Sequence, residues 1–238
     1  MNLSDTINTA PTFSGGKSEL RADWRKTSTL SYYTKVIIMF IEIPASKSTM
    51  SKRRLSHGVA TNDASYQTRK TIDGKVFFCP YYSRWKSMIN RCYSKSGNKK
   101  NLSYKDCFVC NDWLLFSNFK SWMKKQDWKD KCLDKDILIQ GNKEYCPEMC
   151  LFVTEQVNKM LLDSKSRRGD LKVGVSICRG KFLAGCRNNG KRIYLGYYSS
   201  EHKAHEEYKK CKYEMIRLVA IQQSEPLRSA LLAWVIAE

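Results

Sequence analysis

The stretch VGVSICRGKFLAGCRNNGKRIYLGYY, residues 173–198, decides the fold of the C-terminal part of this chain. Apolar and polar residues alternate along it with a period of two, the pattern of β-strands with one buried face. The strands predicted in this way cover residues 173–177, 181–186 and 192–198. Arg179-Gly180 and residues 188–190 supply the turns, and the Asn-Gly in the second turn is a strong hairpin signal. We therefore expect a three-stranded antiparallel sheet.

A helix is predicted directly after this sheet. Ser200 can cap its N-terminus, and the helix is expected to run to about Ala220. Its apolar line is thin and consists of Ala204, Tyr208, Cys211, Met215 and Leu218. We expect one face of the sheet to pack on this line. The tail, residues 221–238, predicts one more short helix.

The sheet segment is also strongly basic. Residues 165–217 contain fourteen Lys or Arg against five Asp or Glu, a net charge of +9. A basic sheet face held by a helix can lie in the major groove of duplex DNA, where arginines bond guanine edges or phosphates. The DNA-binding residues expected on this basis are Arg179, Lys181, Arg187, Lys191, Arg192 and Tyr194. The alternative is a small α+β domain with solvated basic strands.

The order of residues in this segment resembles the AP2/ERF DNA-binding domains. The matching positions are Gly174-Val175, Lys181-Phe182, Ala184, Arg187, Gly190-Lys191-Arg192, Tyr194-Leu195-Gly196, Tyr198, Ala204 and Tyr208. Phe182 and Tyr194 stand where members of the family have Trp, and both keep an aromatic ring. The resemblance implies an AP2-type three-stranded sheet packed on a helix over residues 173–220, with DNA as its ligand.

Residues 50–163 predict a second unit. Aromatic and apolar residues recur at helical spacing over residues 81–93 and 113–123. Further along, residues 133–138 alternate like a short strand, Gly141-Asn142 makes a turn, and residues 152–162 predict a helix. The whole chain is therefore expected to be of the α+β class.

The second unit resembles the ββα-metal site of HNH-type nucleases, in particular the bacteriophage HNH proteins that carry an AP2 domain after the nuclease. The matching residues are Asp134-Lys135-Asp136, Gly141-Asn142, Pro147, Cys150, Phe152-Val153-Thr154 and Asn158. The resemblance implies a homing endonuclease that hydrolyses DNA phosphodiester bonds with Mg²⁺ or a similar divalent ion. It implies that Asp134 and Asn158 bind the ion, that Asn142 orients the strand or the loop, and that Lys135 belongs to the catalytic set.

Lys135 departs from the HNH pattern, because the family has its catalytic His at this position. A lysine is ordinarily protonated at neutral pH and cannot take a proton from water. It could stabilise phosphate charge, or act as a base if burial favoured its neutral form. This departure leaves a second function open: a catalytically inactive AP2-domain DNA-binding or regulatory protein on an HNH-like scaffold.

Two cysteine pairs flank the predicted strand at Asp134. Cys107-x-x-Cys110 and Cys146-x-x-x-Cys150 could supply the four thiolates of a structural Zn²⁺ site. The alternative is that they are small, buried, apolar residues.

The composition of the whole chain sets the remaining expectations. It has 42 Lys or Arg against 23 Asp or Glu, a formal charge of +19, which favours a polyanionic partner. We expect duplex DNA, and neither a membrane nor a small-molecule substrate; an RNA-binding role would explain the charge but not the sheet pattern. Ten cysteines without a visible signal peptide indicate the cytoplasm, that of a host cell if the chain is phage-encoded. Residues 1–49 predict a disordered or extraneous segment, and residues 164–172 a basic linker.

Overall fold

A computed structural model of the chain describes residues 40–72, 74–94, 104–161, 169–188 and 190–236. The larger part of the predicted N-terminal segment, residues 1–39, lies outside the described residues, as do linker residues 164–168 and the turn residue Asn189.

The first half of the described chain surrounds an aromatic core. Its elements are α1 (Lys47–Ser51), β1 (Arg69–Ile72), β2 (Lys75–Phe78), α2 (Pro80–Tyr93), β3 (Phe108–Val109), a 3₁₀ helix (Asn111–Leu114) and α3 (Phe116–Met123). The indole rings of Trp85 and Trp113, together with Phe116 and Phe119, are almost completely buried. Because a buried indole N–H needs an acceptor, Trp85 Nε1 donates to the carbonyl oxygen of Trp113 at 2.7 Å.

The second half of the described chain begins at Cys132. Its elements are β4 (Cys132–Asp134), β5 (Glu144–Tyr145), β6 (Leu151–Val153), α4 (Glu155–Leu161), β7 (Val175–Cys178), β8 (Lys181–Asn188), β9 (Lys191–Tyr198), α5 (Glu201–Ala220) and α6 (Leu227–Ile236). Strands β1 and β2 form an antiparallel hairpin, β3 and β5 pair in parallel, and β4 pairs antiparallel with β6. Strands β7, β8 and β9 form a three-stranded antiparallel sheet. The predicted α+β class is therefore confirmed.

The bounds of the C-terminal sheet and its helix follow the sequence prediction, but Leu218, predicted on the packed line of the helix, is 53% exposed. Ser200 caps α5, since its side chain accepts a hydrogen bond from the backbone N–H of Lys203. Helix α5 packs on β8, and the buried side chains of Val175, Ala184 and Ala204 form the core between sheet and helix. The predicted helix in the tail is α6.

Three local predictions were wrong. The strand predicted over residues 133–138 ends at Asp134, because the backbone then turns around the Asp134 carboxylate. The helix predicted from residue 152 begins at Glu155, because Leu151–Val153 pairs with β4. The helical spacing over residues 113–123 is divided between the 3₁₀ helix and α3, because Leu115 between them has extended backbone.

Residues 40–49, which the sequence assigned to the N-terminal segment, make contacts with the folded chain. The amide of Gln67 donates to the carbonyl of Ile43 at 2.8 Å, and the amide of Ala45 donates to Ser65 at 2.9 Å. The ring of Phe40 lies 6.4 Å from that of Tyr66. These contacts hold the segment against the strand-like stretch that leads into β1.

A second hydrophobic cluster joins the C-terminal helices to the β4–β6–α4 unit. It includes the buried residues Ile137, Val157, Ile216 and Leu231. The indole Nε1 of Trp234 in α6 donates to the carbonyl of Ile137 at 3.1 Å. Helices α5 and α6 thus pack on α4 and on the loop after β4. Among the described helices, none combines the length and apolar character that crossing a bilayer requires.

The glycine before β7 allows a close approach of strand and helix, and its replacement should destabilise the protein. Gly174 has a φ of 79°, and a Cβ atom there would overlap the ring of Tyr208 in α5. Gly180 has a similar φ of 73° but open space around a Cβ position. We expect Gly174→Ala to lower the free energy of unfolding by about 3 kcal/mol and Gly180→Ala by about 1 kcal/mol. Urea unfolding measures both, and equal losses would contradict this account.

Candidate nucleic-acid interface and ββα unit

The strand registers divide the C-terminal sheet into two faces. Val175 pairs with Ala184, and both lie on the face that packs against α5. On the opposite face, Arg187 lies beside Arg192, Gly185 beside Tyr194, and Leu183 beside Tyr197. We call this second surface the open face. Tyr194 and Tyr197 are 67% and 55% exposed there, so large rings stand in solvent on it.

Arg192 lies flat on the open face and is held in place. Its Nη2 donates to Ser176 Oγ at 3.2 Å, and its guanidinium carbon lies 5.1 Å from the centre of the Tyr194 ring. A Cβ atom on Gly185 would come within 3.3 Å of Arg192 Nε, so the missing side chain makes room for the guanidinium. The side chain therefore gives up less conformational freedom when it binds a ligand than a free arginine would.

The other predicted DNA-binding residues are all exposed but do not all lie together. Lys181 and Arg187 are each an even number of positions from Leu183 along β8, so they lie on the same side of the strand. They therefore share the open face with Arg192 and Tyr194. Arg179 lies in the β7–β8 turn with a φ of 51°. Strand alternation turns Lys191, at the start of β9, toward the opposite face.

Asp134 lies at the end of β4 in the unit formed by β4, β6 and α4, which we call the ββα unit. Its Oδ1 accepts hydrogen bonds from the backbone amides of Asp136 at 2.8 Å and of Ile137 at 2.9 Å. Burial raises the pKa of the Asp134 carboxyl above its ordinary value, and these two donors only partly oppose the rise. With Oδ1 engaged by the loop, Oδ2 is the oxygen that an external ligand would meet.

Lys135 is buried, with only 3% of its surface exposed. Its ammonium donates to Asp136 Oδ1 at 2.7 Å and to the carbonyl oxygen of Asn142, and it lies 6.0 Å from the centre of the Tyr145 ring. A carboxylate, a carbonyl and a ring face thus surround the amine, so its hydrogen-bonding capacity is used within the loop. The arrangement fits a structural role for Lys135, and its place in a catalytic set stays a prediction.

Asn142 organises the same loop from the other side. Its Nδ2 donates to the carbonyls of Lys135 at 2.9 Å and Glu144 at 2.7 Å, and its Oδ1 accepts from the amide of Glu144 at 2.9 Å. These three bonds fix the backbone of the loop between β4 and β5. Asn158 lies one turn into α4, with its amide bonded to the Thr154 carbonyl at 3.0 Å, and α4 contacts β4.

The oxygen donors of Asp134 and Asn158 suit a hard divalent ion such as Mg²⁺. The described residues contain no group of three or more His, Cys, Asp or Glu side chains placed around one point. A magnesium ion here would rely on one carboxylate, one amide, water and substrate phosphate, as Mg²⁺ often does. The donor chemistry fits, and the metal assignment stays a prediction.

The four cysteines of the predicted zinc site are only partly brought together. Burial raises the pKa of the Cys150 thiol, a backbone hydrogen bond from Cys146 lowers it, and the charges of Cys146, Asp134 and Cys110 raise it. Cys107 instead lies near Cys92, whose pKa it raises after the larger effect of burial. These interactions do not amount to a group of three ligands around one point within the described residues, and the zinc site stays a prediction.

The sequence did not single out several residues that shape these two sites. Gly185 inside a strand was a usable signal, because such a glycine often marks a close approach. Ser176 and Trp234 carried no comparable signal, since each contacts its partner from another element. Comparison of the chain with protein-family models, curated proteins and solved structures gave no match.

Replacing the buried cation should destabilise the loop. Lys135→Met keeps the length of the side chain but leaves the Asn142 carbonyl without this donor and Asp136 without its ion pair. We expect a loss of about 2 kcal/mol in the free energy of unfolding. The matched control is Lys159→Met, which breaks an exposed pair with Glu155 and should cost below about 0.5 kcal/mol. Similar values for the two variants in denaturant unfolding would refute a structural role for Lys135.

Proposed function

We propose that this protein binds duplex DNA through the open face of the β7–β9 sheet. The observation that supports this most directly is the placement of Lys181, Arg187, Arg192 and Tyr194 on one exposed face. The other face is occupied by α5, so the sheet can present the open face as a rigid surface. A basic sheet of this kind can enter a major groove.

The residues of the open face suit different parts of a duplex. Arg192 is already ordered by Ser176 and Tyr194, which suits the two parallel hydrogen bonds that an arginine makes to a guanine edge. Lys181 and Arg187 are exposed and suit contacts with phosphates, which position a protein without reading sequence. Tyr194 and Tyr197 offer rings to sugars or bases.

Removal of Arg192 should weaken DNA binding selectively. We expect Arg192→Ala to raise the Kd for duplex DNA by about 10- to 100-fold, because a pre-ordered contact is lost. Lys210→Ala is the matched control, since Lys210 is exposed on α5 and paired with Glu207 at 2.7 Å. Fluorescence anisotropy at one fixed salt concentration measures the three proteins. Equal affinities for all three, or tighter binding of structured RNA than of duplex DNA, would count against the proposal.

A second candidate function is hydrolysis of DNA at the ββα unit with a divalent ion. The antiparallel β4–β6 pair followed directly by α4 favours it, because Asp134 and Asn158 then lie on neighbouring elements. These two residues would hold the ion, which supplies a Lewis acid for the scissile phosphate and the leaving oxygen. Asn142 orders the loop that carries Asp134. Lys135, bonded to Asp136 and to the Asn142 carbonyl, would contribute positive charge near the phosphate.

Supercoiled plasmid provides the test of this second function. Nicking by the parent protein with Mg²⁺ or Mn²⁺ is expected to fall by roughly 100-fold or more in Asp134→Ala, because the ion loses its carboxylate ligand. Duplex affinity of Asp134→Ala is measured beside it and should stay within a factor of about two, since the variant leaves the open face intact. If the parent binds DNA but cuts under neither metal, the ββα unit is a scaffold without chemistry.

A further inference from the structure

The β1–β2 hairpin exposes an unusual amount of apolar surface. Ile72, Val76 and Phe78 are 46%, 42% and 46% exposed, although the same half of the chain has a dense aromatic core around Trp85 and Trp113. Large apolar side chains grouped on one short element indicate a contact surface more often than isolated ones do.

The register of the hairpin separates an inner from an outer face. Arg69 pairs with Phe78 and Thr71 with Val76, so these four side chains share one face, which we call the outer face. Lys70 lies on the inner face, where its ammonium donates to the carbonyl of Ile41 at 2.7 Å and sits 4.6 Å from the centre of the Phe40 ring. Residues 40–41 thus cover the inner face at Lys70, while Ile72 and Lys75 on the same face are exposed near the turn. The outer face is exposed along its whole length.

The base of the hairpin is fixed to the core. The amide of Cys79 donates to the carbonyl of Thr68 at 2.9 Å, and both residues are buried. The hydroxyl of Tyr66 lies 3.3 Å from the Cys79 sulfur, and α2 begins at the next residue, Pro80. The outer face is therefore presented in a defined direction and would lose little freedom on binding.

Charge decides which partner suits this surface. Arg69 and Lys75 are exposed on the hairpin, and the Arg69 guanidinium lies 6.0 Å from the centre of the Phe78 ring. Glu42, on the neighbouring segment, is paired with Lys120 at 2.6 Å, so its charge is already offset. An exposed apolar ring with cations nearby complements a polyanion, because the phosphates of the polyanion are charged and its bases and sugars offer apolar contacts.

We infer that the β1–β2 hairpin is a second DNA-contacting element, distinct from the open face. A two-stranded ribbon fits a major groove, and apolar side chains can also pack against sugars and base edges. Phe78 and Val76 supply the apolar contact of the outer face, with Arg69 beside them for a phosphate, and Lys75 at the tip of the hairpin binds a second phosphate from the edge. This inference rests on the proposed binding of duplex DNA, and it predicts a longer footprint than the three-stranded sheet alone would produce.

The test compares two double variants in the full-length chain. Arg69→Ala/Phe78→Ala removes the ring and the cation of the outer face. Arg217→Ala/Leu218→Ala is the matched control, because both residues are exposed on α5 outside the open face. We expect the hairpin variant to raise the Kd for duplex DNA about tenfold and to lower the salt dependence of log K by about one phosphate contact. Its hydroxyl-radical footprint should lose a block of protected sugars at one end.

A third variant separates loss of contact from loss of folding. Lys75→Glu reverses a charge at the exposed start of β2 and removes no packing, and it should also weaken binding at low salt. If both hairpin variants bind and footprint as the parent does while Arg192→Ala binds weakly, the hairpin inference is wrong and the open face still binds DNA. If the parent itself does not bind duplex DNA, both proposals fail. A parent dimer in light scattering that Arg69→Ala/Phe78→Ala abolishes would assign the hairpin to self-association and overturn the inference.

Discussion

A protonated amine that is removed from water must find acceptors, and this requirement shapes the centre of the ββα unit. Lys135 meets it with the Asp136 carboxylate and the Asn142 carbonyl. Asn142 can turn its carbonyl inward because its own side chain fixes the backbone on both sides. The loop between β4 and β5 is therefore closed by polar contacts around one charge. Its geometry, and with it the position of Asp134, depends on the charge being present.

The same loop contains the Asp134 carboxylate, whose charge is disfavoured by burial. Asp134 has a raised pKa because burial disfavours its charge, whereas the neighbouring lysine has its charge fully compensated. A carboxylate that is costly to ionise gains when a cation arrives, which is how ion-binding sites store part of their affinity. The loop thus combines a buried lysine that is bonded to its neighbours with a half-buried carboxylate that two backbone amides hold in place.

The sequence predicted those parts of the fold whose signals are local. The period of two, the turn glycines and the Ser200 cap located the sheet and α5, because each depends on residues a few positions apart. It failed over residues 133–138, where Ile137 is apolar because it packs against α6 and not because a strand continues. The burial of Lys135 could not be predicted from the sequence either, because one of its acceptors is a backbone carbonyl, which every residue type has. The support of Arg192 by Ser176 required the register of two strand pairs.

The contact of Trp234 with Ile137 joins residues that are 97 positions apart in the sequence. The core of the β4–β6–α4 unit is thereby completed by side chains made long after the unit itself. During synthesis Ile137 and Val157 would stay partly uncovered until α5 and α6 had followed. A contact between residues so far apart in the sequence slows folding, because the intervening chain loses conformational entropy before the contact forms. The core beside the loop that carries Asp134 is therefore completed only after α5 and α6 have been synthesised.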